Sequence, residues 1–246
     1  MSLERHGGAI GIRIFAHRGN LKGPNRLLEN SPSLVASALA QGFDLETDIR
    51  RDAGGTLYIS HDRQPRQQQI LGAEHAAIWR LFPNQIVALN VKELGYEDEL
   101  LRFIVNERLL NQVFLFDMEL LEKQPGDTAR LFNQTCPALK LAARISDRNE
   151  PIERALSIEA AEIIWLDEFD STWATANDLM LLRAAGKTIY AISPDVHGAS
   201  LPTARQRWSE LINYGVHGIV TDWPIQLAQD VGASFANVEG ISHACF

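Results

Sequence analysis

Short apolar runs alternate with amphipathic stretches along most of the chain. Runs at 12–17 (IRIFAH), 43–49 (FDLETDI), 86–92 (IVALNVK), 113–117 (VFLFD), 139–145 (LKLAARI), 162–167 (EIIWLD), 188–193 (TIYAIS) and 217–222 (HGIVTD) predict strands. Between most of them, 31–42, 96–110, 174–186 and 203–215 carry helical periodicity. Several of these begin at Ser, Thr or Asp and stop at Gly, as capped helices do. The stretch 147–161 is vaguer. Strands alternating with helices imply parallel pairing through right-handed crossovers. Roughly eight such units in a chain of this length predict an α/β fold, the (β/α)8 TIM barrel. An open doubly wound sheet usually has fewer strands, and no Gly-rich dinucleotide fingerprint follows the first strand. A further short strand at 55–62, after an AGG turn, reads as a hairpin arm leaving the second barrel strand. The Gln- and Arg-rich stretch 63–85 reads as an excursion before the third stave. No repeat or low-complexity segment marks a second domain, so 1–246 reads as one barrel domain.

Composition narrows the function. With 46% hydrophobic residues in 246, the chain can bury a large core. A formal net charge of −8 argues against a nucleic-acid partner, which needs a basic face. It leaves room for a small anionic substrate held by a few focused cations. The two cysteines, Cys136 and Cys245, form no metal-type pair and suit a reducing cytoplasm. No apolar run approaches the roughly 18 residues a membrane span needs. The start, with Arg5 and Arg13 around a glycine-rich stretch, lacks the apolar segment of a signal peptide. A cytoplasmic location is therefore expected.

A barrel of this kind works at the carboxyl ends of its strands. Those ends carry His17 and Arg18, Glu46 and Asp48, Asn90 and Lys92, Asp117, Asp167, Asp195 with His197, and Asp222; the hairpin arm adds His61 and Asp62. Glu46 and Asp48 are two residues apart in a strand and share a face, and Asn90 and Lys92 repeat that spacing. Carboxylates converging in a barrel mouth repel each other and are costly to desolvate. A hard divalent cation, Mg²⁺ or Ca²⁺, would resolve the conflict. A single strand-end acid is more often solvated or paired with an arginine, but an E-x-D pair beside two histidines favours metal. Two histidines near one metal invite acid–base catalysis. His6, His75, His217 and His243 read as structural or solvated.

The ordered set HRG (17–19), EN (29–30), ETD (46–48), HD (61–62), NVK (90–92) and GIVTDWP (218–224) resembles the glycerophosphodiester phosphodiesterase family. The resemblance spans residues 14 to about 224. It implies a (β/α)8 barrel and a metal-dependent phosphodiester hydrolase. It implies His17 and His61 as the acid–base pair, Glu46 and Asp48 as metal ligands, and Arg18 and Lys92 as phosphate clamps. Asn30 stands where the family's Asn helps shape the site. The family usually carries a glutamate where this chain has Asn90. Asn90 can still offer a neutral carbonyl oxygen, and Asp117 on the next stave is the alternative anionic ligand. The family's Trp-Thr near the seventh strand is replaced by ISPDVHG (192–198), and the 63–85 excursion lacks the usual glycine-rich threonine segment, which puts glycerol as the substrate's alcohol in question. A second reading is a non-catalytic barrel that binds a phosphate or headgroup through a weakened metal site; Asn90 is its motive. Retention of both histidines speaks against it.

Overall fold

The computed structural model describes residues 11–232. His6, His243, Cys245 and the start of the chain around Arg5 lie outside the described residues. In chain order the strands are β1 (Arg13–His17), β2 (Asp44–Arg51), β3 (Leu57–Ile59), β4 (Ile70–Leu71), β5 (Val87–Val91), β6 (Val113–Phe116), β7 (Lys140–Ile145), β8 (Ile163–Leu166), β9 (Thr188–Ile192) and β10 (Gly218–Thr221). The helices are α1 (Pro32–Ala40), α2 (Gly72–Trp79), α3 (Glu97–Asn106), α4 (Asp127–Thr135), α5 (Ile152–Ser157), α6 (Ala176–Ala184), α7 (Leu201–Tyr214) and α8 (Pro224–Asp230).

Eight strands pair in parallel in the order β1-β10-β9-β8-β7-β6-β5-β2, and β2 pairs back to β1, closing a (β/α)8 barrel. β3 and β4 extend β2 outward as an antiparallel arm. Period-two alternation splits each stave between two cores. Outward residues such as Leu45, Ile49, Leu89 and Ile164 meet the helices. Inward residues Phe15, Ala88, Phe114, Phe116, Ala142, Trp165, Tyr190 and Val220 fill the barrel axis. Aromatic rings form the floor under the mouth. Phe116 stacks on Trp165 with centroids 4.1 Å apart, and Tyr190 lies 4.8 Å from Phe15 and 5.6 Å from Phe114. Such pairs add about 0.5–1.5 kcal/mol each beyond the area they bury. The same inward phase continues upward into polar residues, which is how the mouth acquires its chemistry.

The predicted staves coincide with the observed ones to within a residue or two. The excursion is more structured than its composition suggests. It holds β4 and α2, and α2 is anchored by His75, whose Nε2 donates to the Asn30 carbonyl at 2.8 Å. The start of α2 carries no capping signature, since its N-cap, Leu71, provides no side-chain cap.

Candidate active site

The first stave ends in a tight turn. Arg18 N–H donates to the Glu46 carbonyl at 2.8 Å, and Asn20 N–H donates to the His17 carbonyl at 2.9 Å. Arg18 has φ 51° and Gly19 φ 81°. A Cβ on Gly19 would come within 3.1 Å of Val35 N, so the turn requires glycine on two counts. A left-handed arginine is uncommon, and such strain collects at functional sites. Asn30 N–H donates to the Arg18 carbonyl at 2.8 Å, while Asn30 Oδ1 accepts from Thr47 Oγ1 at 2.6 Å. The structure therefore ties the Asn30 carbonyl oxygen into the frame that holds Arg18.

His17 points into the mouth and is buried. Its Nδ1 meets Asp222 Oδ1 at 2.7 Å and its Nε2 lies 3.7 Å from Glu46 Oε2. Asp222 in turn accepts from Asn20 Nδ2 at 2.8 Å, and its own N–H donates to Asp195 Oδ2 at 2.8 Å. Asp195 is held by Thr221 Oγ1 and by Ser193. A carboxylate on Nδ1 fixes the ring's orientation and leaves Nε2 for chemistry. Burial alone would lower the His17 pKa, but the hydrogen bond to Asp222 and the charges of Glu46 and Asp222 outweigh it, so the net shift is upward.

Glu46 and Asp48 project inward from β2 next to Asn90, the register partner of Asp48 on β5. Asp48 is 1% exposed and is paired by Lys92 Nζ at 2.9 Å and Arg18 Nε at 3.2 Å. Burial would raise its pKa, yet Lys92 and Arg18 prevail and lower it. No lysine or arginine pairs with Glu46, and His17 is its ion-pair partner; burial, then the charge of Asp48, pushes its pKa up to about 7. Arg18 also reaches Glu29 Oε1 with Nη1 at 3.1 Å.

His61 arrives from the hairpin arm. Ile49 pairs with Ile59, and Ser60 N–H donates to the Asp48 carbonyl at 3.1 Å, which brings the arm's end alongside Asp48. Arg50 clamps the His61 carbonyl through Nε at 2.9 Å and Nη2 at 2.6 Å. The ring is half-buried, with Nδ1 at 3.0 Å from Asp62 Oδ1. Its pKa is lowered, first by burial and then by the positive charge of Arg18, with Lys92 adding to it.

Across the mouth lies a second polar group. Asp117, at φ 73° just past β6, takes Asn90 Nδ2 on Oδ2 at 2.8 Å and is ion-paired through the same oxygen with Arg144 Nη2. Burial lifts the Asp117 pKa against the pull of Arg144. Arg144 Nη1 lies 3.7 Å from Asp167, which also meets His197 Nε2 at 2.5 Å. Arg144 belongs to this network, although the apolar run that holds it does not single it out. Its signal is plain in hindsight: it stands two residues after Ala142, in the inward phase of β7. His217 accepts the Ile189 N–H on Nδ1 at 3.0 Å, a structural role.

The donor set suits a hard cation. Glu46 Oε2, Asn90 Oδ1 and, farther across the mouth, Asp117 Oδ1 are buried with no hydrogen-bond partner, and the Asp48 oxygens meet only their ion-pair partners. Among the described residues, no three His, Cys, Asp or Glu side chains are grouped as a metal site. On β2 and β5 the oxygens on offer are two carboxylates and one carboxamide, chemistry that fits Mg²⁺ or Ca²⁺ with one anionic ligand fewer than three acids would give.

Solved structures resemble this chain over most of its length. A glycerophosphoryl diester phosphodiesterase from Parabacteroides distasonis superposes with a TM-score of 0.69 at 16% identity, over 90% of this chain and 86% of that one. A phosphodiesterase from Oleispira antarctica, solved with the product sn-glycerol-3-phosphate, gives 0.66 at 14% identity over 90% and 97%. A glycerophosphodiester phosphodiesterase from Thermotoga maritima gives 0.60 at 16% over 89% and 98%. The chain shares its fold with glycerophosphodiester phosphodiesterases. No protein-family profile matches the chain, and no curated protein does. At these identities the likeness speaks for the barrel, and the chemistry has to be argued from the mouth.

Proposed function

We propose that the chain is a metal-dependent phosphoric diester hydrolase acting on a small glycerophosphodiester-like substrate. The observation that carries this reading is the gathering of His17, His61, Arg18 and Lys92 around the Glu46–Asp48 pair. Arg18 and Lys92 supply the positive charge that a phosphodiester needs, and each would trade part of its pairing with Asp48 for a phosphoryl oxygen. Asp222 and Glu46 raise the His17 pKa against its burial, which suits it to be the acid that protonates the leaving alkoxide at Nε2. Burial, then the charges of Arg18 and Lys92, lower the His61 pKa, which suits it to be the base that takes the proton from the attacking water or hydroxyl. Two groups pushed apart in pKa mark acid and base. Glu46, Asp48 and Asn90 would hold the cation, which supplies Lewis-acid polarisation and a template for the phosphate. Asp222 keeps the His17 ring in register with Glu46. Among the described residues no helix is long and apolar enough to cross a membrane.

A hydrolysis screen tests this reading. Glycerophosphocholine, glycerophosphoethanolamine, lysolipids and a chromogenic phosphodiester are each incubated with Mg²⁺, Ca²⁺ or chelator. Cation-dependent turnover of at least one diester is expected. Absence of turnover across the grid, alongside retained binding of a diester, would favour the non-catalytic barrel.

A further inference from the structure

We infer that Asp117, fastened by Arg144, is the positioning residue that turns the Asn90 carboxamide oxygen toward the cation site. The inference rests on the metal-dependent reading above.

A carboxamide has one donating end and one accepting end. Asp117 Oδ2 already receives Arg144, so it meets Asn90 as an acceptor, and the amide must present Nδ2 to it, as it does at 2.8 Å. β5 lies between β2 and β6 in the barrel. Asp117 follows β6, whereas Asp48 on β2 is the register partner of Asn90. With Nδ2 drawn to the β6 side, Oδ1 is left on the β2 side, where Glu46 and Asp48 project. That oxygen is buried and has no hydrogen-bond donor. A bare carbonyl oxygen beside two carboxylates is a ligand in waiting for a hard cation. Without Asp117 the amide would be free to turn its NH₂ toward Glu46 and Asp48 and close the site against a cation.

The same contact explains why position 90 is not an acid. A carboxylate there would face the Asp117 carboxylate at hydrogen-bond range, and like charges so close cannot both remain ionised without cost. Positions 90 and 117 therefore act as a couple: an amide at 90 needs an acid at 117, and an acid at 90 needs an amide at 117. Asp117 is a positioning residue acting through Asn90, and Arg144, bonded to the same Oδ2, fixes that oxygen as the acceptor Asn90 meets. Partners of this kind, one shell out from the ligand, typically change metal affinity 10–100-fold when lost.

Mn²⁺ titration of the full chain by calorimetry and electron paramagnetic resonance tests the couple with four proteins: wild type, Asp117→Asn, Asn90→Glu and Asn90→Glu/Asp117→Asn. Asp117→Asn is expected to bind Mn²⁺ about 10–100-fold more weakly. Asn90→Glu, which keeps the Asp117–Arg144 pair, should gain nothing despite its added charge. The double variant restores the hydrogen bond with reversed polarity and should bind more tightly than wild type. If wild type binds and Asp117→Asn binds equally well, or Asn90→Glu alone tightens binding as much as the double variant, the inference fails while the metal reading stands. If none of the four binds Mn²⁺, both fail.

Discussion

Replacing Asp222 with asparagine isolates one hydrogen bond of the proposed mechanism. Asp222 Oδ1 sits 2.7 Å from His17 Nδ1, both groups are buried, and the carboxylate is itself oriented by Asn20. Asparagine keeps the shape and removes the charge. A hydrogen bond to a charged group is worth about 1.5–3 kcal/mol, and each 1.36 kcal/mol is a factor of ten in rate. Turnover should therefore fall about 10- to 150-fold, because the imidazolium form of His17 loses its counter-charge. The pH profile carries the sign. The wild-type rate requires neutral His61 and protonated His17. Its acid limb should lie below the ordinary histidine value, since the His61 pKa is lowered, and its alkaline limb above it, since the His17 pKa is raised. In Asp222→Asn the alkaline limb should move to lower pH and the acid limb should stay. Initial rates on a chromogenic phosphodiester from pH 5 to 9 would show both effects, with thermal unfolding to confirm an intact fold. An unchanged rate and alkaline limb would refute the acid role of His17.

Further outcomes follow from other contacts. His17→Ala and His61→Ala should each reduce kcat about 100-fold or more, measured at saturating cation. Lys92→Ala should raise KM for a phosphodiester and lift the Asp48 pKa, because Lys92 Nζ is the nearest positive charge to that carboxylate at 2.9 Å. Directly after Asp167 in the chain, Glu168 forms a buried two-point ion pair with Arg207 at 2.7 and 2.8 Å, with side chains 3% and 4% exposed. Arg207→Ala would strand the Glu168 carboxylate and should cost about 3–5 kcal/mol, a fall in Tm of roughly 6–20 °C by calorimetry. An unchanged Tm would mean that Glu168 is satisfied by the backbone N–H groups of Trp173 and Ala174 alone.

The barrel was legible because its staves are short, β-rich and regularly spaced, and because period two places Glu46 with Asp48 and Asn90 with Lys92 without knowledge of their neighbours. Contacts that depend on closure were not legible. His17 and Asp222 are 205 residues apart and meet only because β10 packs beside β1. Arg144 was absorbed into an apolar run, since one charged residue near a strand end does not disturb the pattern. The role of Asp117 was similarly hidden. Its strand-end position suggests a ligand, and only closure of the barrel shows that Oδ2 engages Arg144 and Asn90 while Oδ1 is buried without a hydrogen-bond partner. α4 has no side-chain N-cap pattern because its N-cap is Gly126 and its first N–H groups are satisfied from upstream, by Glu122 on Gly126 and Thr128. Such caps leave no local signature of the Ser/Thr/Asp type.

Phosphorus-31 nuclear magnetic resonance of a glycerophosphodiester incubated with the wild type, His17→Ala and His61→Ala tests the central claim most directly. With Mg²⁺ or Ca²⁺ present, the account predicts loss of the diester signal and growth of a phosphomonoester, or of a cyclic phosphate if a neighbouring hydroxyl attacks, in the wild type. Both histidine variants should leave the diester almost untouched over the same time. Conversion by either variant at the wild-type rate would contradict the account, as would an unchanged spectrum in the wild type with every cation.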